Sequence, residues 1–399
     1  MKLAHLTSVY PAYAERFYAA RPGLAAGSFS EQREALFYDA FAWADAWKAA
    51  LQPLGYEVEE LISNVAPMQR AWEQEHLSPA PERDLDAIAV EQVRRFRPDV
   101  LWFDHHDARL LRRIREQVPA IRLVLGWTGS AMPRENAYAD CDMVLSCSRE
   151  SVERLAALGH RAAELHHGFD PRVLQRLQPS ESSAEMVFIG QIIRGSEFHV
   201  AREKLLERLA DALPLRIFSP APPRGLLRGA KQLVKRGLGA AFRAVGSSQR
   251  AERWAEAERP VVNPRLAPHM VDGVYGLEMY RTVRDAKVTL NSHADSSDRY
   301  ASNMRLFEVT GVGGCLLTDW KPNLGEIFSL DSEVSAYRSA DECVEKARWL
   351  LDHPQERAAM ARAGQARTLR EHTFARRASD LDGIVKNALS AAAVHVAVH

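Results

Sequence analysis

The sequence predicts an α/β protein of two doubly wound domains whose parallel sheets face each other across a cleft. Apolar segments of strand length alternate with helical patterns along the chain, and a polar, aperiodic linker at 175–184 divides the series in two. The length of 399 residues agrees, because one hydrophobic core of ordinary size would be too small for it. The domains are then expected at 1–174 and 185–371, and a C-terminal helix is expected within 372–399.

The first domain is predicted to contain six strands, each of which is a short apolar segment. They are expected at residues 2–8, 56–62, 100–104, 122–127, 143–147 and 162–167. Helical patterns lie between them at residues 31–51, 85–96, 108–117 and 150–158. Gly55, Pro119 and Gly159 follow three of these helices and are typical stop signals.

The second domain repeats this alternation. Its strands are expected at residues 186–190, 215–219, 287–291, 314–319 and 333–337. Its helices are expected at residues 199–212, 276–285, 303–310, 340–351 and 354–370, and the last helix of the chain at 374–389. Ligands of doubly wound sheets bind at the carboxyl ends of the strands, so the cleft between the domains is the predicted site.

Composition and charge exclude several classes of protein. With 46% hydrophobic and 26% charged residues, the chain is not a disordered protein. Lys and Arg number 52, as do Asp and Glu, so the overall basic surface of a nucleic-acid binder is absent and no nucleic-acid partner is expected. The four cysteines are scattered and form neither a disulfide framework nor a zinc motif.

Two sequence features bear on the cellular location: a signal peptide and a membrane-spanning helix. The first seven residues carry one positive charge and a short apolar stretch, which predicts a strand and not a signal peptide. No segment approaches the roughly 20 apolar residues that a membrane-spanning helix needs. We therefore expect a cytoplasmic protein, either free or held peripherally at the inner membrane surface.

The membrane alternative rests on a basic insertion at 220–262 within the second domain. No acidic residue occurs from Pro220 to Ala251, and apolar residues recur at helical spacing over 224–243. This pattern is typical of an amphipathic segment that lies on an anionic membrane. A lid that packs its apolar side on the domain fits the same pattern, and four glycines in the segment weaken a helix there.

Familiar catalytic signatures are missing. Neither domain has G-x-G-x-x-G after its first strand, which argues against a nicotinamide-dependent dehydrogenase. The segment that begins at Gly190 lacks the Gly-Lys-Ser/Thr ending of a phosphate loop, and no G-x-S-x-G elbow is present. No histidine pair has zinc-ligand spacing on a helix, so no metal site is predicted.

Three residues near the start of the predicted helix at 303–310 are candidates for binding a nucleotide: Asn303, Arg305 and Glu308. A carboxylate near the cleft can accept hydrogen bonds from two ribose hydroxyls, as acidic residues do in dinucleotide folds. The alternative is a surface ion pair between Arg305 and Glu308. Residue chemistry alone leaves both interpretations open.

Gly190, Arg194 and Arg202 are further candidates for nucleotide binding, and the two arginines are the candidates for contact with the phosphates. Arg194 follows a predicted strand, where a guanidinium can bind a phosphate through two parallel hydrogen bonds. Arg202 lies on the next predicted helix and is a second candidate. Surface arginines without a ligand are common, so an ordinary exposed charge remains the alternative for each.

His105, His106 and Asp107 are the candidate catalytic residues. They follow the predicted strand 100–104, at the sheet edge where an acceptor would be held. A histidine there can act as a general base or donate a hydrogen bond to a leaving phosphate. The alternative is that Asp107 caps the following helix and the histidines are polar loop residues.

The motifs of the second domain, taken in order, resemble those of GT-B glycosyltransferases, in particular the CgeB-like, spore-maturation branch of the family-4-like group. The matching segments are Phe188–Gly190, His199–Arg202, Leu290–His293, Asn303–Glu308, Gly313–Asp319, Leu324–Phe328 and Leu351–Arg357. The first domain resembles the family only at Asp142–Ser148 and His167–Asp170.

The resemblance implies metal-independent transfer of a sugar from a nucleoside-diphosphate sugar to a hydroxyl of a glycan, a lipid-linked molecule or a protein. Glu308 would hold the ribose, Arg194 the diphosphate, and Asn303 and Arg305 would line the donor pocket. Tyr300 stands where the family usually has a second glutamate. The final helix would cross back to the first domain. A nucleotide-sugar epimerase and a non-catalytic sugar-nucleotide-binding module of the same form are the alternatives.

Overall fold

The computed structural model contains two parallel six-stranded sheets with helices on both faces of each. The residues that it describes are 1–78, 83–129, 137–178, 184–192, 199–220, 263–293 and 299–397. The predicted membrane or lid segment at 224–243 lies outside these residues, so both interpretations of it stay predictions. In the described residues, no helix is both long enough and apolar enough to cross a membrane.

The first sheet has the strand order β2-β1-β3-β4-β5-β6. Its strands are β1 (Lys2–Thr7), β2 (Glu57–Ile62), β3 (Val100–Phe103), β4 (Leu123–Thr128), β5 (Met143–Ser146) and β6 (Ala162–Glu164). All pairs are parallel, and β1 lies next to both β2 and β3. The carboxyl ends of the strands therefore meet at one edge of the sheet, as the sequence predicts.

The second sheet has the order β12-β11-β10-β7-β8-β9. Its strands are β7 (Met186–Ile189), β8 (Leu215–Ser219), β9 (Met270–Asp272), β10 (Val288–Asn291), β11 (Leu316–Asp319) and β12 (Ser335–Tyr337). Strand β9 is absent from the sequence prediction. It has three residues and pairs with β8 alone at the sheet edge, and so short an edge strand carries little periodicity.

Helices connect the strands on both faces of each sheet. In the first domain they are α1 (Pro11–Ala19), α2 (Phe29–Tyr38), α3 (Ala46–Leu51), α4 (Ala66–His76), α5 (Leu85–Phe96), α6 (Ala108–Gln117), α7 (Arg149–Ala157) and α8 (Arg172–Arg176). Those that follow are α9 (Val200–Ala210), α10 (Gly276–Asp285), α11 (Arg305–Gly311), α12 (Leu324–Ile327), α13 (Ala340–Asp352), α14 (Pro354–Glu371) and α15 (Phe374–Ala397).

The single helix predicted at 31–51 is wrong: the structure divides it into α2 and α3. Ala40, Ala42 and Ala44 have φ of 54°, 53° and 45°, which no right-handed helix allows. Alanine is the best helix former, so propensity favours a continuous helix here. Tertiary packing overrides it, because Ala40 packs in the core of the second domain and Trp43 in that of the first.

Helix α15 returns from the second domain and packs on the first. Phe374, Ala378 and Leu381 are buried in the same apolar cluster as Trp47 of α3. Before the helix begins, the chain forms a parallel bridge in which the Phe374 amide donates to the Phe169 carbonyl at 3.1 Å. These contacts join the start of α15 to both domains.

His372, at the junction of α14 and α15, makes stability depend on pH. The Arg377 guanidinium donates to its Nδ1 at 2.9 Å, so the ring proton is on Nε2, which donates to the Ile327 carbonyl at 3.0 Å. Burial lowers the pKa of His372 from 6.5 to about 4, and the charge of Arg377 adds to the effect. A proton on Nδ1 would face the guanidinium.

We expect a stabilising contribution from His372 that is complete above pH 6.5 and is lost as the pH falls toward 4, because only the unfolded chain binds the proton in that window. Urea unfolding at about pH 7.5 and about pH 5, on either side of the ordinary histidine pKa, measures the loss. His372→Gln should lose less stability between the two conditions than the unmodified protein. Equal losses would contradict the assignment.

Candidate active site between the two domains

A cavity of about 540 Å³ lies between the two sheets. Its lining comes from the carboxyl ends of strands on both sides. Thr7 at the end of β1 and Asp104 after β3 face Gly190 after β7 and Ser292 after β10. The predicted cleft is therefore present, and both domains contribute polar groups to it. A ligand bound there would contact both domains at once.

Of the three predicted catalytic residues, the structure brings His106 to the cavity and not His105 or Asp107. The Tyr138 hydroxyl donates to the Trp127 carbonyl at 3.0 Å, so it accepts the hydrogen bond from His106 Nε2 at 3.1 Å. Because Nε2 carries the proton in this hydrogen bond, Nδ1 of the neutral ring is an acceptor, and the residue is exposed at the cavity wall. A catalytic role for His106 stays a prediction.

His105 and Asp107 have structural partners. The Ser63 hydroxyl lies 3.2 Å from His105 Nε2, and burial lowers the pKa of that histidine. The Asp107 carboxylate accepts the amide N–H groups of Arg109 and Leu110 at 2.9 and 3.2 Å, which is the N-cap of α6. The cap is the alternative that the sequence left open, and these contacts favour it for Asp107.

On the donor side, Glu308 is 6% exposed and lines the cavity. Arg305 donates to its Oε2 at 2.7 Å, so the ion pair that the sequence offered as an alternative is formed. No described residue donates to the second oxygen, Oε1. The carboxylate is therefore held in place by Arg305 and keeps an oxygen with which to accept a hydrogen bond.

Asn303 precedes α11, which begins at Arg305 and not at 303 as predicted. Its side-chain amide exchanges hydrogen bonds with Asn291 at 2.8 and 3.3 Å, and Asn291 also donates to Thr318 at 2.9 Å. This pairing joins the segment before α11 to the ends of β10 and β11. Asn303 thus lines the cavity and fixes the position of the helix that carries Glu308.

Arg202 is buried and lines the cavity, and its guanidinium binds the loops that follow two strands. It donates to the Ser292 carbonyl at 2.7 Å and to the Gln191 carbonyl at 3.0 Å. Gly190 also lines the cavity, and its N–H donates to Phe218 at 3.1 Å. Both residues shape the donor side. Binding of the nucleotide sugar by either residue, and contact of Arg202 with its phosphates, stay predictions. Arg194 lies outside the described residues.

Sequence reasoning missed two groups on the acceptor side. Asp104 follows β3 and lines the cavity, and the Thr7 hydroxyl donates to its Oδ2 at 3.0 Å. His5, in the middle of β1, also lines the cavity and pairs with Glu60 of β2, 2.6 Å away. The available signal was a histidine between apolar residues of β1, whereas Glu60 is one of three glutamates in β2 and does not stand out in the sequence.

The described residues contain no cluster of three His, Cys, Asp or Glu side chains that would hold a metal ion.

Tyr300 occupies the position where the resemblance predicts a second glutamate. Its side chain is half-buried, and the guanidinium carbons of Arg149 and Arg299 lie 5.3 and 5.1 Å from its ring centroid. Two cations therefore lie near the position where the family has an acidic side chain.

The fold is similar to that of several solved structures over nearly the whole chain. One is HepE from Anabaena in a complex with UDP-glucose, which is 11% identical in sequence and has a TM-score of 0.54. The alignment covers 97% of this chain and 100% of the HepE chain. Sucrose-phosphate synthase from Thermosynechococcus elongatus has 12% identity and a TM-score of 0.52, with 98% and 100% covered. AviGT4, a glycosyltransferase involved in avilamycin A biosynthesis, has 14% identity and a TM-score of 0.51, with 98% of each chain covered.

A family signal comes from the second domain. Residues 223–383 match the family described as "Glycosyl transferase-like", a segment that includes Glu308 and most of the second sheet. No curated protein sequence matches the chain. The fold of the whole chain is that of the GT-B glycosyltransferases, and the match in its second domain confirms the predicted enzyme class, a glycosyltransferase.

Proposed function

We propose that the protein transfers a sugar from a nucleoside-diphosphate sugar, bound against the second domain, to a hydroxyl of an acceptor bound against the first. The observation that carries this proposal is Glu308, a buried carboxylate at the carboxyl edge of the second sheet with Oε1 available for the ribose hydroxyls. UDP-glucose in the HepE complex supports a donor of this chemical class.

The first domain supplies the acceptor side. Asp104 and His106 line the cavity there, opposite Glu308, so a hydroxyl and a donor sugar can meet between the two sheets. The CgeB-like resemblance supports a glycan, lipid-linked or protein acceptor. Because no step in this scheme needs a Lewis acid, we propose transfer without a metal ion, with Arg194 and the loop at Gly190 stabilising the diphosphate.

A panel of nucleotides tests the donor site. We expect one of the diphosphates of uridine, guanosine, thymidine and adenosine, or its sugar conjugate, to raise the melting temperature, because a ligand that binds only the folded state stabilises it. The matching nucleoside without phosphates should give a smaller shift. A panel in which no diphosphate shifts the melting temperature would contradict the proposal.

A further inference from the structure

Tyr10 is an exposed aromatic side chain at the wall of the cavity, where β1 leads into α1. It is 56% exposed, and among the large exposed apolar side chains of the described residues it alone lines the cavity. A single exposed apolar side chain is ordinary, whereas a continuous exposed apolar surface marks a binding site. The neighbours of Tyr10 therefore decide what its exposure means.

Two aromatic neighbours extend this apolar surface. Phe41, between α2 and α3, and Tyr275, which precedes α10 in the second domain, also line the cavity. The Phe41 ring centroid lies 5.6 Å from that of Tyr10 and 5.7 Å from that of Tyr275, edge to face in both pairs. Phe41 also stacks on Tyr13 of α1 at 3.9 Å, which holds its ring in place. Tyr10, Phe41 and Tyr275 thus form an aromatic wall to which both domains contribute.

The backbone holds Tyr10 in position on both sides. Pro11 is the first residue of α1 and restricts the residue before it to an extended backbone, and Tyr10 has φ of −63° and ψ of 131°. On the other side, the Asn64 side chain accepts from the Val9 amide at 2.9 Å and donates to the Val9 carbonyl at 2.7 Å. A ring that is already held in place loses little freedom when a ligand stacks on it, which favours binding.

Polar groups of both domains lie close to the aromatic wall. The charges of Arg305, Glu308 and Asp104 all act on the Tyr10 hydroxyl, so a ring stacked on Tyr10 would lie beside the donor pocket. The Thr7 hydroxyl donates to Oδ2 of Asp104, and no described residue donates to Oδ1. The Asp104 carboxylate can therefore accept a hydrogen bond from a hydroxyl of a molecule that covers the aromatic wall.

From this geometry we infer that Tyr10 is the stacking platform for a sugar ring of the acceptor, so that the acceptor is a carbohydrate. The inference rests on the proposed function and deepens it, since it names the acceptor class for the same site. A sugar ring has an apolar face of C–H groups and a rim of hydroxyls, which match an aromatic face beside a carboxylate. A serine or threonine side chain is too small to cover the aromatic wall, and an alkyl chain has no rim of hydroxyls for Asp104.

Acceptor-dependent release of nucleoside diphosphate from UDP-, GDP-, dTDP- and ADP-glucose tests the inference. The acceptors are the methyl glycosides of glucose, galactose, mannose and N-acetylglucosamine, compared with sorbitol, a serine-containing peptide and octanol. We expect a methyl glycoside to be the best acceptor, because sorbitol has hydroxyls but no ring face. Tyr10→Ala should lower kcat/KM for that glycoside by about tenfold, chiefly through a higher KM, since stacking contributes to binding and not to the chemical step. Tyr10→Phe keeps the ring and should stay within about threefold of the unmodified protein.

Tyr38→Ala is the matched control, because Tyr38 is 57% exposed and lies outside the cavity. Affinity of Tyr10→Ala for the nucleoside diphosphate, measured by calorimetry, should change less than about twofold. Should its melting temperature show that Tyr10→Ala fails to fold, Tyr10→Leu, which is apolar but has no aromatic face, takes its place. A decrease in kcat/KM of less than about threefold would overturn the inference, as would an equal loss of nucleotide affinity or better use of sorbitol, peptide or octanol than of every glycoside. No transfer to any acceptor by the unmodified protein would instead contradict the proposed function.

Discussion

Replacing Glu308 with alanine should weaken nucleoside-diphosphate binding by about 1–3 kcal/mol, the usual effect of removing one charged hydrogen-bond partner. Two consequences of the structure combine in this expectation. The variant loses the carboxylate that the ribose hydroxyls would contact, and it leaves the Arg305 guanidinium without its 2.7 Å ion-pair partner beside the cavity. Calorimetric titration with the diphosphate that gave the largest thermal shift measures the effect directly.

The control for this variant is Glu345→Ala, which removes an exposed carboxylate from α13 of the same domain, outside the cavity. Its affinity for the nucleotide should equal that of the unmodified protein, since salt screens an exposed charge that lies outside the cavity. If Glu308→Ala also keeps full affinity while it remains folded, the ribose assignment is wrong and Glu308 serves only to hold Arg305.

Truncating Phe169 to alanine should lower the free energy of unfolding by about 3–5 kcal/mol, the range for large buried aromatic side chains. Phe169 follows β6 of the first domain but is fully buried in the core of the second. Its backbone accepts from Phe374 at 3.1 Å and donates to His372 at 2.8 Å. The residue therefore joins the first domain, the second domain and the start of α15.

Urea denaturation, followed by tryptophan fluorescence and by circular dichroism, measures this loss. Leu158→Ala is the matched control, because Leu158 is 62% exposed and an exposed leucine should change stability by less than about 0.5 kcal/mol. A loss in Phe169→Ala no larger than that of the control would contradict its place in the core. The Gly311 backbone supports the packing, since a Cβ there would lie 2.3 Å from the Phe169 ring.

The sheets could be predicted from the sequence because strands buried on both faces consist of continuous apolar segments. Val100–Phe103 of β3 and Met186–Ile189 of β7 are fully buried segments of this kind. Their alternation with helices then fixes parallel pairing and the position of the cleft. The break between α2 and α3 could not be predicted, because its three alanines favour a helix and only packing between the domains requires otherwise.

The donor side of the site could be predicted from the sequence, whereas the pairing of His5 with Glu60 on the acceptor side could not. Glu308 lies in the first turn of α11, the helix that connects β10 to β11, so its position near the sheet edge follows from the alternation of strands and helices. His5 and Glu60 are 55 residues apart, and their pairing depends on the register of β1 with β2, where His5 lies opposite Glu60. Strand periodicity predicts which face a residue occupies, but it does not predict which residue on the next strand it meets.

The most direct test of the central claim is product formation from the sugar nucleotide that the thermal-shift panel identifies, measured by mass spectrometry with and without a hydroxyl acceptor. Transfer predicts that the acceptor gains the mass of the sugar, that nucleoside diphosphate is released in equal amount, and that both fall in Glu308→Ala. An altered sugar nucleotide formed without any acceptor would indicate an epimerase, and tight binding with no turnover under either condition would indicate a binding module. Either of these results would contradict the account.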